Sequence, residues 1–458
     1  MRFSICVIDP VFATRQVIFS ASLLPPTLML LLHVPCTKCR INHCRGCLTP
    51  LSCRVTCKGP SKDNSCTVMQ CCAEVRAIAI FEVLGAFDRQ FLGERAEANS
   101  RALAAVAHYN PAAKTVGPGG TGYSVGRGSS GSRAPATTKK KANNVALRWD
   151  KLVVHALATL TELLPAPYTD NPQVYDLLPH VSIGHLLLLS QLPILLSDLL
   201  RNDSVTDWIS RKETYNAMLS LLRRMADSEL TIQCLIGQRW EMDQSCDLEN
   251  WMWEDGEITW NTNTKGDFEV APPLYSYFKK LTKQSEAFLG GAKQVLAEEG
   301  EDVDDVDDTM IQGTSLCGDI IAARDALERE ITLLGQLSSR LESDSQATQV
   351  NGFKNKGKGK DRFVDIDKVY TDACERLAFK HVLLGEASLK SDAGLKYPNY
   401  HYAATLTQTQ NATRLPKSRL HLVKELAVTA TSLPAGIWVR VDEVRNDVMY
   451  ALHTSIYQ

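Results

Sequence analysis

Apolar residues recur at helical spacing along most of the chain from Ala73 to Leu341. Val75, Ile78, Ile80, Phe81 and Leu84 predict a helix over 73–92, with Gly85 and Gly93 weakening its continuity. Leu152, His155, Ala156, Leu160 and Leu163 predict a second that stops at Pro165. Asn171 is expected to cap the next, with Pro172 at its first helical position. Leu186 to Leu200 is apolar nearly all round, the pattern of a buried helix. Ser210-Arg211-Lys212-Glu213 reads as a capping box for a helix over Tyr215 to Met225. Leu274, Phe278, Leu281 and Phe288 mark another helix. Ile320, Leu327, Leu334 and Leu341 recur every seven residues with Ile331 alongside, the pattern of a long amphipathic helix in a bundle or against a partner. Short helices in succession, none able to bury its face alone, predict a mainly α fold with an armadillo/HEAT-like middle, although no clean repeat marks it.

The pattern changes after Arg419. Leu420, Val423 and Ala427 share one helical stripe with Leu422 and Leu426 beside it, and Ser418 is expected at the N-cap. Leu433-Pro434-Ala435-Gly436 ends that helix and turns the chain. Ile437 to Val441 alternates as a strand, Asp442 to Asp447 is a polar turn, and Val448 to Leu452 begins a second strand. Two strands and one helix bury little surface, so a loosely ordered hairpin is expected.

Three stretches interrupt these elements. Residues 111–145 are rich in Gly, Ser and Lys and read as a flexible linker. Within them Gly117 to Ser124 mimics a phosphate loop but carries Tyr123 where the loop needs lysine, and no strand precedes it. Residues 298–308 hold eight acids without the glycine or spacing of a calcium loop. Residues 343–362 form a second, basic linker with Lys354, Lys356, Lys358 and Lys360 but no interleaved aromatics. Trp240, Trp251, Trp253 and Trp260 crowd a polar, acidic segment, where they are expected to pin a loop onto the helices. The alternative there is a surface that recognises a peptide.

The net charge of −2 supplies no global field toward nucleic acid or membrane, and neither is expected as a partner. Cysteine usage carries more information. Nine of the 14 cysteines lie in the run Cys36-x2-Cys39-x4-Cys44-x2-Cys47-x5-Cys53-x3-Cys57, then Cys66 and Cys71-Cys72. A C-x-x-C turn lets two thiolates chelate one tetrahedral zinc, and a second such turn or a cysteine pair closes the site. With His33 and His43 nearby there are donors for two closed sites. A structural zinc module in a reducing compartment, cytoplasmic or nuclear, is expected, the alternative being a disulfide-rich secreted cap. Arg2 and the apolar run Leu23 to Leu32 outline a secretory signal, but Pro25-Pro26 interrupts it and the run is too short to span a bilayer.

Two regions resemble known families. The cysteine spacing is similar to the second half of in-between-RING zinc modules, with Cys53 where those show histidine. The amphipathic helix, LP-x-G corner and hairpin of 414–458 resemble the opening of the ubiquitin-conjugating fold. Leu200 to Val205 with Tyr215 to Arg223, the glycine-rich TGY stretch and Asn399-Tyr400-His401-Tyr402 are similar, in order, to BRUCE/apollon-type hybrid ubiquitin-conjugating enzyme/ligases. That resemblance implies transfer of ubiquitin to substrate lysines, with the activating enzyme, ubiquitin and protein substrates as partners. Arg419, His421, Leu422 and Lys424 would then face the activating enzyme and ligases.

The family needs a cysteine thiolate beyond its strands, whereas the last cysteine here is Cys374, upstream of the helix. An opening segment unlike the rest of the chain and an end inside a fold suggest a fragmentary chain with a truncated α+β conjugating core. The competing expectation is a non-catalytic zinc-binding scaffold or adaptor. The expected organisation is an N-terminal segment 1–32, a zinc module 33–72, a helical segment 73–110, a linker 111–145 and a helical scaffold 146–342. A basic linker 343–362, an approach segment 363–413 and the conjugating core 414–458 complete it.

Overall fold

The computed structural model describes residues 28–36, 38–54, 57, 67–107, 136–298, 308–347, 366–382, 384, 416–434, 436–443 and 447–453. Cys66, the phosphate-loop mimic, most of the acidic run, the linker lysines Lys354 to Lys360 and Asn399 to Tyr402 lie outside them. The fold is mainly helical, with a small cysteine-rich sheet early in the chain and a small sheet late in it. It divides into two units, Met1–Ile194 with Arg239–Ala271, and Leu195–Gln238 with Pro272–Gln458.

In the first unit, strands His33–Pro35, Ile41–Cys44 and Pro50–Arg54 form an antiparallel sheet in chain order. A single 35-residue helix, Ala73–Ala107, follows. Gly85 does not weaken it; a Cβ there would lie 2.6 Å from Cγ of Glu249, so glycine lets the Leu248–Trp253 helix approach. Helix Ala136–Leu163 packs alongside, burying Val153, Leu157, Leu160 and Leu163. Trp149 joins Phe87 and Phe91 there. His155 falls on the exposed side of that helix. The linker expected to reach residue 145 is already helical from Ala136, with Lys139 to Lys141 inside the helix. No Gly or Pro lies between Ala136 and Leu163, so a helix anchored by its packed half extends at little cost.

The next helix, Val174–Leu177, is capped by Gln173, not Asn171. Asp176 accepts the Gln173 backbone N–H at 2.9 Å. The apolar run 186–200 is two helices, Ser182–Leu189 and Leu192–Arg201. At the break, Oγ of Ser190 donates to the Leu187 carbonyl and accepts the Leu192 N–H. Among the described residues no single helix is long and apolar enough to cross a membrane. The bent pair that passes by composition has Leu186, Leu187, Leu195, Leu196, Leu199 and Leu200 buried in protein.

The excursion Arg239–Ala271 adds two antiparallel ribbons, Arg239–Trp240 with Val270–Ala271 and Met242–Ser245 with Ile258–Trp260. Its tryptophans do not all pin a loop: Trp240 and Trp251 are exposed, whereas Trp253, though exposed, meets Phe81 of the Ala73–Ala107 helix edge to face. Trp240 instead packs on its own ribbon, edge to face with Trp260 at 5.9 Å and tilted against Phe268 at 5.2 Å between ring centroids.

In the second unit Ser210 ends the helix Val205–Ser210, and Arg211 stands at the N-cap of Lys212–Ala226 without a side-chain cap. The expected capping box is therefore absent. Ser204, whose oxygen accepts the Asp207 N–H, caps the preceding helix. Asn202 donates to Asp207 and to the Tyr215 hydroxyl, which donates to the Leu199 carbonyl. Trp208 donates to the Asn202 carbonyl at 2.9 Å. Helices Leu274–Glu298 and Asp308–Ala347 then pack together. They bury Leu274, Phe278, Leu281 and Phe288 from the first and Ile320 and Leu327 from the second.

Helix Pro416–Ser432 lies against Leu274–Glu298. It begins before Ser418, with proline as its first helical residue, where a missing N–H costs nothing. Gly436, at φ +84°, turns the chain into strand Ile437–Asp442, which pairs with Met449–His453. The hairpin is not alone. Strand Phe379–Val382, after helix Ile366–Leu377, pairs in parallel with Ile437–Asp442 and makes it central. Val439 and Val441 are buried with Phe379, Leu426, Ala430 and Ala287, which replaces the expected loose hairpin with a small packed α+β layer.

Candidate metal centre

Three groups of thiol and imidazole donors crowd the cysteine-rich sheet, and in each the ligand atoms lie within 4.8 Å of one another. They are Cys44, Cys47, Cys71 and Cys72; Cys36, Cys39 and His43; and His33, Cys53 and Cys57. Spacing alone predicts two closed sites and holds the histidines in reserve. The fold gives each histidine its own group.

Two turns of the same shape place the first thiols. Arg40 N–H donates to the Cys36 carbonyl and Leu48 N–H to the Cys44 carbonyl, both at 2.9 Å. Cys36 N–H donates to Ile41 O and Cys44 N–H to Thr49 O. Arg40 (φ 56°) and Leu48 (φ 59°) occupy the left-handed region, which L-residues with a side chain seldom adopt. Strain of that kind persists where surrounding structure imposes it, and it gathers at functional sites. Each turn presents the two sulfurs of a C-x-x-C pair together.

The four-sulfur group is closed by Cys71 and Cys72, the residues just before helix Ala73–Ala107. Sγ of Cys44 is 3.5 Å from Sγ of Cys72, and Sγ of Cys47 is 3.6 Å from Sγ of Cys71. No disulfide joins these thiols. A tetrahedral ion with metal–sulfur bonds of about 2.3 Å sets its sulfurs about 3.8 Å apart, so the donors already hold nearly that spacing. The backbone N–H of Val75 donates to Cys72 Sγ at 3.4 Å. Gly46 allows the close approach: a Cβ there would lie 2.6 Å from Val75 N and 2.9 Å from Cys72 Sγ.

Burial pushes Cys44 and Cys71 up to about 11 and Cys72 up to about 12. Burial also acts on Cys47, but hydrogen bonds with Thr49, Cys71 and Cys44 outweigh it and bring that thiol down to about 7. Cys44, Cys71 and Cys72 so placed hold their protons at neutral pH unless a cation sits among them, whereas Cys47 is already partly ionised, and a bound cation removes the remaining protons.

In the second group Nδ1 of His43 is buried without a hydrogen-bond partner. An unpaired buried polar atom costs roughly 1–3 kcal/mol, and a metal ion beside Cys36 and Cys39 would relieve it. In the third, Nε2 of His33 is 3.4 Å from Cys53 Sγ. Asn42 donates to the same sulfur at 3.3 Å and to the Arg54 carbonyl at 2.7 Å, which orients the donor. The residues present thus suit a soft ion with tetrahedral preference, and these clusters can hold a metal.

The second set of expected site residues stands on helix Pro416–Ser432. His421 is exposed, with Nδ1 4.0 Å from a Glu425 carboxylate oxygen. Lys424 is half-buried one turn on. Leu422 turns inward and packs against the Val439–Val441 core, so it does not share their surface. The Arg419 side chain lies outside the described residues, as does Cys66.

Structure and sequence together define a helical chain fastened at one end by a cysteine- and histidine-rich module. Among curated proteins the chain is similar to the mouse dual E2 ubiquitin-conjugating enzyme/E3 ubiquitin-protein ligase BIRC6, at 24% identity over 269 residues. The match takes in 57% of this chain, which spans 5% of the length of that relative. No family model matches the chain.

Proposed function

We propose that the chain is a zinc-fastened helical part of a ubiquitin-conjugating and ligating protein. The observation that carries this reading is the partial similarity to BIRC6. Two features support it: the helix, glycine corner and hairpin at 416–453, read as the opening of a conjugating fold, and the succession of short helices, read as an armadillo/HEAT-like scaffold. In this reading the exposed His421 and the half-buried Lys424 face the activating enzyme or a ligase. Zinc fits the four-sulfur group best, by softness and by sulfur spacing. It would act structurally, tying the sheet to the start of the Ala73–Ala107 helix, in a reducing compartment, cytoplasmic or nuclear.

A second reading is favoured by one observation. Cys44, Cys47, Cys71 and Cys72 supply four sulfurs, enough to close a tetrahedral ion, which is the arrangement of a structural and not a catalytic site. The chain would then serve as a zinc-bearing scaffold or adaptor in the same pathway. One experiment separates them. The zinc-loaded chain is incubated with activating enzyme, ATP and ubiquitin, and products are resolved with and without reductant. A thiol-sensitive ubiquitin adduct supports the transferase. Its absence, with binding of the activating enzyme that His421→Ala and Lys424→Ala weaken, supports the adaptor. Neither adduct nor binding removes the ubiquitin reading.

A further inference from the structure

A cavity of about 640 Å³ lies within the first unit, where the cysteine-rich sheet meets the start of the Ala73–Ala107 helix. That volume is in the range of pockets that hold small ligands or anchoring side chains. Phe81 forms part of its wall and is itself buried. Three large apolar side chains at its mouth stay in water: Leu48 is 48% exposed, Met252 45% and Trp253 55%. Trp253 meets Phe81 edge to face with ring centroids 6.3 Å apart, so it is held in place while exposed. Large apolar groups gathered at one opening mark a binding surface.

The charges at the opening select the occupant. Arg45 lines the cavity, but its guanidinium is already engaged by Glu82 at 2.7 Å and by the Leu31 carbonyl at 3.1 Å. His180 also lines the cavity near Glu74, with its Nδ1 hydrogen-bonded by Ser182, and the exposed carboxylate of Glu74 is the acid of the lining. Trp253 runs directly into exposed Glu254, Asp255 and Glu257. An anionic ligand would meet repulsion here, whereas a lysine or arginine would gain the Glu74 carboxylate, the acids that follow Trp253 and the Trp253 ring face.

We propose that this cavity docks a basic segment of a protein partner, which inserts one large apolar side chain beside Phe81 and sets flanking lysines or arginines against Glu74 and Glu254. The site is independent of the ubiquitin reading, since neither its lining nor its charges involve the terminal sheet.

The test uses the zinc-loaded full chain and three fluorescein-labelled peptides read by anisotropy. The probes are Lys-Lys-Phe-Leu-Lys-Lys, the acidic Glu-Glu-Phe-Leu-Glu-Glu and the polar Lys-Lys-Ser-Ser-Lys-Lys. The first is expected to bind, and the other two at least about tenfold more weakly, a difference of about 1.4 kcal/mol. Trp253→Ala and Glu254→Gln should each weaken the first peptide about tenfold with zinc content unchanged. Both side chains are exposed and neither belongs to a donor group, and the zinc content reports whether the module still folds. Equal binding of all three peptides, no binding of any, or indifference to both variants overturns the proposal. So does tighter capture of a peptide of residues 1–27, which would make the cavity a seat for the chain's own beginning.

Discussion

The backbone N–H of Gln191 donates to Oδ1 of Asp88 at 2.8 Å, across 103 residues of chain. The bond fixes the break between two apolar helices onto the middle of the Ala73–Ala107 helix. It also leaves Oδ2 of Asp88 buried without a partner. Burial pushes this carboxyl up to about 8, against the hydrogen bonds from Gln191 and Leu248, and nearby Asp247 and Glu249 add to the rise. A free aspartate titrates at 3.8. Between those values the folded chain holds a proton that the unfolded chain has lost. This group's contribution to stability is therefore full below about pH 4 and declines as pH rises toward 8. Asp88→Asn keeps an acceptor for Gln191 but cannot ionise. Relative to the parent, it should gain on the order of 1 kcal/mol in urea unfolding at pH 8, and less at pH 5. Parallel curves at both pH values would refute the assignment.

Removing the metal should loosen the sheet before the helices. Chelation, or Cys44→Ser, is expected to abolish amide-exchange protection over His33 to Arg54 while the Leu274–Glu298 helix stays protected. Cys44→Ser should also lower bound zinc by about one ion per chain. Unchanged metal content in that variant would contradict the four-sulfur site.

Gly46 faces the helix start so closely that a methyl group cannot enter without moving Val75 or Cys72. Gly46→Ala should destabilise the module by about 1–3 kcal/mol and weaken zinc retention against a competing chelator. Gly93 is the matched control, because a methyl group added there would meet nothing within 4 Å. Gly93→Ala should be neutral or mildly stabilising.

In the terminal sheet, Ile437–Asp442 is central and Met449–His453 is an edge with Met449, Tyr450 and Leu452 exposed. Amide exchange should be slow at Val439, whose N–H donates to Ala378 O at 2.7 Å, and faster along Met449–His453. Val441→Ala removes two methyl groups from a fully buried position and should cost on the order of 2 kcal/mol. Uniformly fast exchange across both strands would restore the expectation of a lone, loose hairpin.

The motif Leu200 to Val205 with Tyr215 carries a physical reason that spacing alone does not supply. Asn202 ties Asp207, Trp208 and Tyr215 into one hydrogen-bonded corner, so these residues position helices. Trp208 is fully buried, and no periodicity marks it, because it sits on a six-residue helix too short to show a stripe. The caps expected at Asn171, Ser210 and Ser418 are not formed, for a related reason. Packing of the helices sets where each begins, and the start it sets does not fall just after the residue expected to cap.

By itself the sequence determined which residues could bind metal and where most helices run. Thiol pairs at C-x-x-C spacing and apolar stripes at helical spacing are local facts, settled by bond lengths and by 3.6 residues per turn. Tertiary structure decided which donors meet. Cys44 and Cys47 join Cys71 and Cys72 because Gly46 lets the turn reach the helix start, and each histidine goes to a different pair of cysteines. It also decided that Phe379–Val382 completes the terminal sheet, although more than 50 residues separate it from its neighbour. Such partners are chosen by burial between distant segments, a quantity that no local pattern contains.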